Sequence, residues 1–315
     1  MVQRHYPHAE ALAALDGVAI RIIRNRGPYD LLSALTFARV CSRVGAEVVI
    51  LHGNRALRAV GLARRLLRVP SIARNGTRTV GHAGWCERVI NPSEHMSRAC
   101  VTRHGMDPRR VRTIPNPPVA RGPDAAPPVA FHDPPVIGLR GRTTANKGLD
   151  VLIDALGLLR SRGVAFEARI AGDGPDRAGF ERQAETLGLA DRVRFEGWAS
   201  DPATFFVEID VYAFPSRHEP FGIALLEAFL WGRPAVVARS EGPSEFATCG
   251  EDCLCVPTGD ADALARALAR VFSEPDLAAR LGRAARAKAT GRLGWDAFRE
   301  RLGSLVDELA AGTAA

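Results

Sequence analysis

The 315-residue chain is 46% hydrophobic and 24% charged, with a net charge of +7 at neutral pH. That length suits two α/β domains better than one, and no apolar run approaches the roughly 18 to 20 residues of a membrane-spanning helix. The start "MVQRHYPHAEAL" is no secretory leader, and six cysteines without zinc-ligand spacing are expected to be reduced thiols.

Charge is unevenly spread. Residues 1–130 hold 20 arginines, no lysine and eight acidic residues, a net of +12, whereas residues 131–315 hold 22 basic and 27 acidic residues, a net of −5. A basic half suits nucleic acid, an anionic membrane surface or an acidic substrate. Nucleic acid gains no support from motifs: there is no zinc-finger spacing and no aromatic strand signature.

In chain order, "GVAIRIIR", "AEVVILHG", "SIARNG" and "ERVINPS" read as strands, separated by helices such as "LLSALTFARVCSRV" and "NRALRAVGLARRLL". Residues 1–120 are assigned to this first domain. Residues 115–135 contain eight prolines and no periodic pattern, and the linker proper is placed at 121–135. From residue 136 to 295 strands and helices alternate. "PVIGLRG", "AFEARIAG", "RVRFEGW", "DVYAFP" and "RPAVVAR" are strands, and "KGLDVLIDALGLLRSRG", "DRAGFERQAETLGL", "DPATFFVEI" and "FGIALLEAFLWG" are helices between them. Two further helices follow, and residues 296–315 are expected to form a last helix packing back on the first domain. Such alternation predicts doubly wound parallel sheets, with ligand-binding loops at the strand C-terminal ends and a cleft between the two domains.

The stretch "PSRHEPFGIALLEAFLWGRPAVV" (215–237) raises the chemical question. Glu219 lies just before a helix and Glu227 in its second turn, separated by about 10 Å along the axis. That is wide for a glycoside-hydrolase pair, whose limit is about 9.5 Å. It suits a ligand with two hydroxyl-bearing ends, and the helix start at Gly222 between them favours an anion. In "GLRGRTTANKG", Arg142 and Lys147 flank a polar loop leading into a helix, which suits a diphosphate leaving group. Gly172 and Gly174 of "IAGDGPDR" mark close backbone approach, but the third glycine of a dinucleotide fingerprint is misplaced. Asp260 and Asp262 read as a helix N-cap rather than a metal site.

The segments "RGRTTANKG", "AGDGPDR", "RVRFEGW", "PSRHEPFGIALLEA" and "GPSEF" together resemble the family 4 retaining glycosyltransferases of GT-B fold, in order and spacing across nearly the whole second half. "EVVILHGNRALRAVGLARRLLRVPSI", "ERVINPSEHM" and "VRTIPNP" extend the resemblance into the first half, toward bacterial transferases of lipopolysaccharide or other envelope glycans. The resemblance implies α/β architecture with two Rossmann-like domains and transfer from a nucleotide-diphosphate sugar without a bound metal or other cofactor. Glu219 would bind donor-sugar hydroxyls and Glu227 the ribose. Amides near Phe221, Gly222 and Ile223 would meet the phosphates, Arg142 and Lys147 would neutralise the departing diphosphate, and a turn around Arg194 and Phe195 would edge the base. The acceptor would be a glycan or lipid-linked sugar, reached from the cytoplasmic side, with an anionic membrane surface as a further partner.

Two departures from the family are visible. The strand, glycine-rich loop and helix that usually open the first domain have no counterpart before "HYPHAEALAALDGVAIRII", so the first domain is expected to be incomplete, through a misassigned start or a real shortening. The family histidine after the third strand is replaced in "PSIARNGT" by Arg74 and Asn75, and His52 matches a different position; these three are the acceptor-side candidates. Alternatives to an active transferase are an inactive or partner-dependent nucleotide-sugar-binding protein, or a GT-B epimerase or phosphorylase. The donor nucleotide, the sugar and the oligomeric state are not legible.

Overall fold

The computed structural model of the protein describes residues 30–63, 66–67, 69–75, 83–119, 122–124, 131–198 and 202–312, together with positions 19, 23 and 27. The expected strand over residues 17–24 and the expectations for the opening segment lie outside the described residues, apart from those isolated positions. The described residues form two compact units: one from Met1–Pro92, Met96–Ile114 and Arg301–Ala315, the other from Ser93–His95 and Pro115–Glu300.

The first unit is built on four parallel strands, β1 (Val49–His52), β2 (Ser71–Arg74), β3 (Arg88–Asn91) and β4 (Val111–Thr113), adjacent in chain order. Helices α1 (Leu31–Arg43) and α2 (Gly53–Ala63) bury Phe37, Cys41, Leu57 and Val60 with Leu51, Val89 and Val111 of the strands. Asp30 starts α1: its Oδ1 accepts the Ser33 amide at 3.1 Å, supplying one of the partners a helix N-terminus lacks. Helix α3 (Glu94–His104) and strand β4 go beyond the elements expected from sequence.

The second unit holds a six-stranded parallel sheet. In chain order its elements are β5 (Val136–Arg140), α4 (Leu149–Ser161), β6 (Glu167–Ala171), α5 (Arg177–Thr186), β7 (Val193–Gly197), α6 (Pro202–Val207), β8 (Val211–Phe214), α7 (Ile223–Leu230), β9 (Ala235–Ala238), β10 (Leu254–Val256), α8 (Ala261–Ser273) and α9 (Pro275–Thr290). The sheet order is β10-β9-β8-β5-β6-β7. Successive strand residues point to opposite faces, and both faces are covered: Val211, Ala213, Val236 and Ala238 join one core with α4 and α8, while Tyr212, Phe214, Ala235 and Val237 join the other with α7 and α9. Continuous burial of β8 and β9 explains why these segments read as unbroken apolar runs. Helix α10 (Trp295–Ala311) ends the described chain, and its Glu308 pairs with Arg88 of β3. Asp260 caps α8, its Oδ1 accepting the Ala263 amide at 2.8 Å, while Asp262 pairs with Arg162 and Arg266.

One expectation is corrected. Cys249 and Cys255 form a disulfide, with Cα atoms 5.4 Å apart. The turn between them folds back through Gly250, whose amide donates to Cys253 O at 2.8 Å, so residue 249 comes beside β10. Cys41, Cys86, Cys100 and Cys253 are free and buried.

Two glycines test the account of the loops. Gly172 has φ +148°, and a Cβ there would overlap the Gly141 carbonyl oxygen; Gly179, inside α5, has open space around it. Gly172→Ala is expected to cost about 2–3 kcal/mol, and Gly179→Ala to be neutral or to gain roughly 0.5–1 kcal/mol. Urea unfolding of both variants measures the difference, and equal stabilities would refute the close approach at Gly172.

Candidate active site

The order of the six-stranded sheet reverses between β5 and β8, which pair through Ile137–Val211 and Gly138–Tyr212. At such a switch point the loops after the two strands diverge and leave a crevice at their carboxyl ends. The loop after β5 carries Arg142 and Lys147, and the loop after β8 carries Glu219. The two loops can approach closely because residue 148 is glycine: it adopts φ +68°, and a Cβ would overlap the Pro215 carbonyl oxygen.

Both glutamates meet cations from the β5 side. Lys147 Nζ lies 2.5 Å from Glu219 Oε2, and Arg140 Nη1 donates to Glu227 Oε2 at 2.7 Å. Arg140, the last residue of β5, escaped the sequence reading although an arginine closing an apolar strand is itself a signal. It is held from the next strand, where the buried Tyr212 hydroxyl donates to Arg140 O at 3.0 Å. Glu227 is 2% exposed. Burial pushes its carboxyl above the ordinary carboxylate range and Arg140 offsets this only in part. Arg142 is exposed, and its side chain has no hydrogen-bond or ion-pair partner among the described residues.

Gly222 starts α7 in the left-handed region at φ +103°, with no side-chain cap, so the first amides of the helix are not occupied by a capping group. Beside it, Phe221 is buried against Phe246, with ring centroids 5.1 Å apart, while Ile223 is exposed. Behind Glu219 the loop after β9 closes the crevice. Gly242 N donates to Glu219 O at 2.9 Å, Glu219 N reaches Glu241 Oε2 at 3.4 Å, and His218 Nδ1 lies 2.9 Å from Glu241 Oε1. Glu241 and His218 were also missed; neither belongs to a spacing that sequence alone can recognise.

Several assigned residues are placed differently from expectation. Gly172 and Gly174 approach the chain itself: their missing Cβ atoms make room for the backbone of Gly141 and Thr143. They shape the loop that presents Arg142. Arg194 and Phe195 do not lie in a turn. They belong to edge strand β7, where Arg194 is 71% exposed and 3.6 Å from Glu167, and Phe195 packs on the core. The strand was read correctly, but its carboxyl end is Gly197, followed by the exposed Trp198. In the first unit His52 and Arg74 are register partners at the carboxyl ends of β1 and β2. Asn75 is buried and donates through Nδ2 to Asn91 Oδ1 at 2.9 Å, which makes it part of an internal polar network instead of an open acceptor contact. Among the described residues no group of three or more histidine, cysteine, aspartate or glutamate side chains converges as metal ligands would.

Residues 123–288, which contain all the groups around this crevice, match the family described as Glycosyl transferases group 1. The lipopolysaccharide core biosynthesis glycosyltransferase LpsE of Rhizobium meliloti (strain 1021) is 40% identical over 149 residues, 47% of this chain and 43% of LpsE. LpsD of the same organism, with the same description, is 38% identical over 170 residues, 54% of this chain and 47% of LpsD. The chain thus spans less than half the length of these curated relatives. Among solved structures, HepE of Anabaena in complex with UDP-glucose superimposes with a TM-score of 0.77 over 91% of this chain and 85% of HepE, at 20% identity. At that identity the likeness is one of fold, and the fold is GT-B.

The state of Glu227 gives a testable sign. A carboxyl whose folded pKa is raised makes stability fall as pH rises from the unfolded value, near about 4.3, through the raised one. Glu227→Gln removes the buried charge and keeps an acceptor for Arg140, so its thermal midpoint is expected to equal or exceed that of the parent, by a margin that grows as pH rises above about 4. A melting series across pH measures it; a midpoint several degrees lower than the parent at neutral pH would contradict the assignment.

Proposed function

The chain belongs to the glycosyl transferases group 1 family, and on that premise we propose that it transfers a sugar from a nucleotide-diphosphate sugar to a glycan or glycolipid acceptor of the cell envelope, with retention of configuration. The observation that carries the reading is the pairing of Lys147 with Glu219 at the sheet's switch point, beside Arg142, whose side chain has no partner among the described residues, and the start of α7, which has no side-chain cap. Cations, an anion-favouring helix start and hydroxyl-binding carboxylates stand in the order in which a nucleotide sugar presents its parts.

In this reading the bond between the sugar's anomeric carbon and the diphosphate oxygen breaks, and the acceptor hydroxyl oxygen bonds to that carbon. The acceptor proton passes to the leaving phosphate oxygen, on the same face. Arg142 and Lys147 stabilise the charge that develops on the diphosphate, so the reaction needs no bound metal. Glu219 orients the sugar through its hydroxyls and Glu227 binds the ribose. The printed descriptions of LpsE and LpsD support an envelope-glycan acceptor, and the HepE complex with UDP-glucose supports a nucleotide-sugar donor. No helix among the described residues is long and apolar enough to cross a membrane. The +12 charge of residues 1–130 favours docking on an anionic membrane surface, where lipid-linked acceptors reside.

A thermal-shift screen against UDP-, GDP-, ADP- and dTDP-sugars identifies the donor, since a ligand that binds the native state raises its apparent stability. With that donor, Glu219→Ala is expected to abolish transfer while leaving the melting transition in place; turnover within a few-fold of the parent would overturn the role. Arg142→Ala and Lys147→Ala should each slow transfer on the order of 10²-fold, and activity should persist in EDTA. Restoration by Mn²⁺ of activity lost to EDTA would sink the metal-free reading. For the membrane contact, co-sedimentation should favour anionic over neutral liposomes at moderate salt, and equal binding to both would count against it.

A further inference from the structure

Besides the Lys147–Glu219 pair, a second set of contacts joins the two loops. Arg217, in the loop after β8, makes a two-pronged bond to Asp150 in the first turn of α4: Nη1 to Oδ1 at 2.7 Å and Nη2 to Oδ2 at 2.6 Å. The same Nη1 donates to Ala145 O at 2.8 Å, and the Arg217 amide donates to Asn146 O at 3.0 Å. Asn146 answers across the gap, its Nδ2 donating to His218 O at 2.8 Å. Residues 145 and 146 of one loop, and residue 150 of the helix that follows it, are thereby tied to 217 and 218 of the other loop. Asp150 is held below the usual carboxylate range, chiefly by the Arg217 hydrogen bond, so the pair is fully charged near neutral pH.

Both side chains are about a third exposed, at 36% and 35%. A pair so accessible to water adds little to global stability, but a planar guanidinium fork on a carboxylate fixes direction as well as distance. The Lys147–Glu219 bond cannot fix the loops in the same way, because a diphosphate binding to Lys147 competes with Glu219 for it. Once Lys147 changes partner, something else has to keep the loops at their spacing.

We propose that Arg217 and Asp150 form a positioning strap, which holds Lys147 and Glu219 at a set separation while the diphosphate of the donor takes Lys147 from Glu219. This rests on the nucleotide-sugar reading for its purpose, but the strap itself is a property of the free protein. Neither residue touches the ligand; both act through Lys147 and Glu219.

Two measurements test it. In the free protein, hydrogen exchange at the Lys147, Gly148 and Arg217 amides should quicken at least tenfold in Arg217→Ala and in Asp150→Ala, with the rest of the second unit unchanged. Unchanged exchange at those three amides would overturn the strap. Arg217→Lys, which keeps the charge and loses the fork, is expected to give an intermediate rate and serves if the alanine variant fails to fold. The second measurement is calorimetric titration with UDP and with GDP. Arg217→Ala should weaken whichever nucleotide binds by roughly tenfold in the parent background and by less than twofold in a Lys147→Ala background. An equal loss in both backgrounds would show that Arg217 does not act through Lys147, and would overturn the proposal. If the parent binds neither nucleotide, it is the UDP- or GDP-donor reading that fails, and the exchange rates still decide the strap.

Discussion

A carboxylate withdrawn almost wholly from water needs a partner, because desolvation otherwise drives it to the neutral form. Glu227 is in that position, and its partner, Arg140, comes from a strand 87 residues earlier in the chain. The sheet order is what brings these two together. Strand β5 lies beside β8, where the order reverses, and the loops that follow the two strands face one another across the crevice. Tyr212, buried between the aromatic core and the Arg140 backbone, fixes the last residue of β5 in the register this requires.

The glycines serve the same arrangement. Gly148 lets the β5 loop touch Pro215, and Gly172 and Gly174 let it settle against the β6 loop. Each of these approaches involves backbone, which cannot rotate out of the way as a side chain can, and two of the three glycines also sit at positive φ. The cations of the crevice are therefore presented by a loop with little freedom, the condition for electrostatic stabilisation that does not have to reorganise when charge develops.

How much of this was legible in the sequence depended on the range of the interaction. Alternation of strands and helices is local, and the parallel-sheet architecture, the helix after Gly222 and the Asp260 cap all followed from it. Glu219, Glu227, Arg142 and Lys147 stood out as a set because three lie in the segments that join a strand to the next helix and the fourth in the second turn of such a helix. Their partners were not, since nothing within "GLRGR" says that Arg140 will meet a glutamate from another element. Asn75 was misread for the same reason: its amide closes a bond to Asn91 of the neighbouring strand, and a polar residue after a strand looks alike whether it faces a ligand or the core. Arg194 shows the limit of boundary placement, where a shift of three residues along β7 separates its interior from its carboxyl end. The Cys249–Cys255 bond depends on a turn whose closure is invisible in the spacing.

The resting crevice is an arrangement of mutually satisfied groups. Arg140 answers Glu227 and Lys147 answers Glu219, so both carboxylates that would bind hydroxyls begin paired with cations. A ligand made only of hydroxyls would have to compete with two ion pairs and could offer only neutral hydrogen bonds in exchange. A ligand that also carries a diphosphate would supply a better anion for Lys147, release Glu219 at the same moment, and meet Arg142, whose side chain has no partner among the described residues. On the proposed reading, binding is an exchange of partners: the diphosphate takes Lys147 and the sugar hydroxyls take Glu219, so each group that the ligand separates from its ion pair would gain a new partner from the ligand.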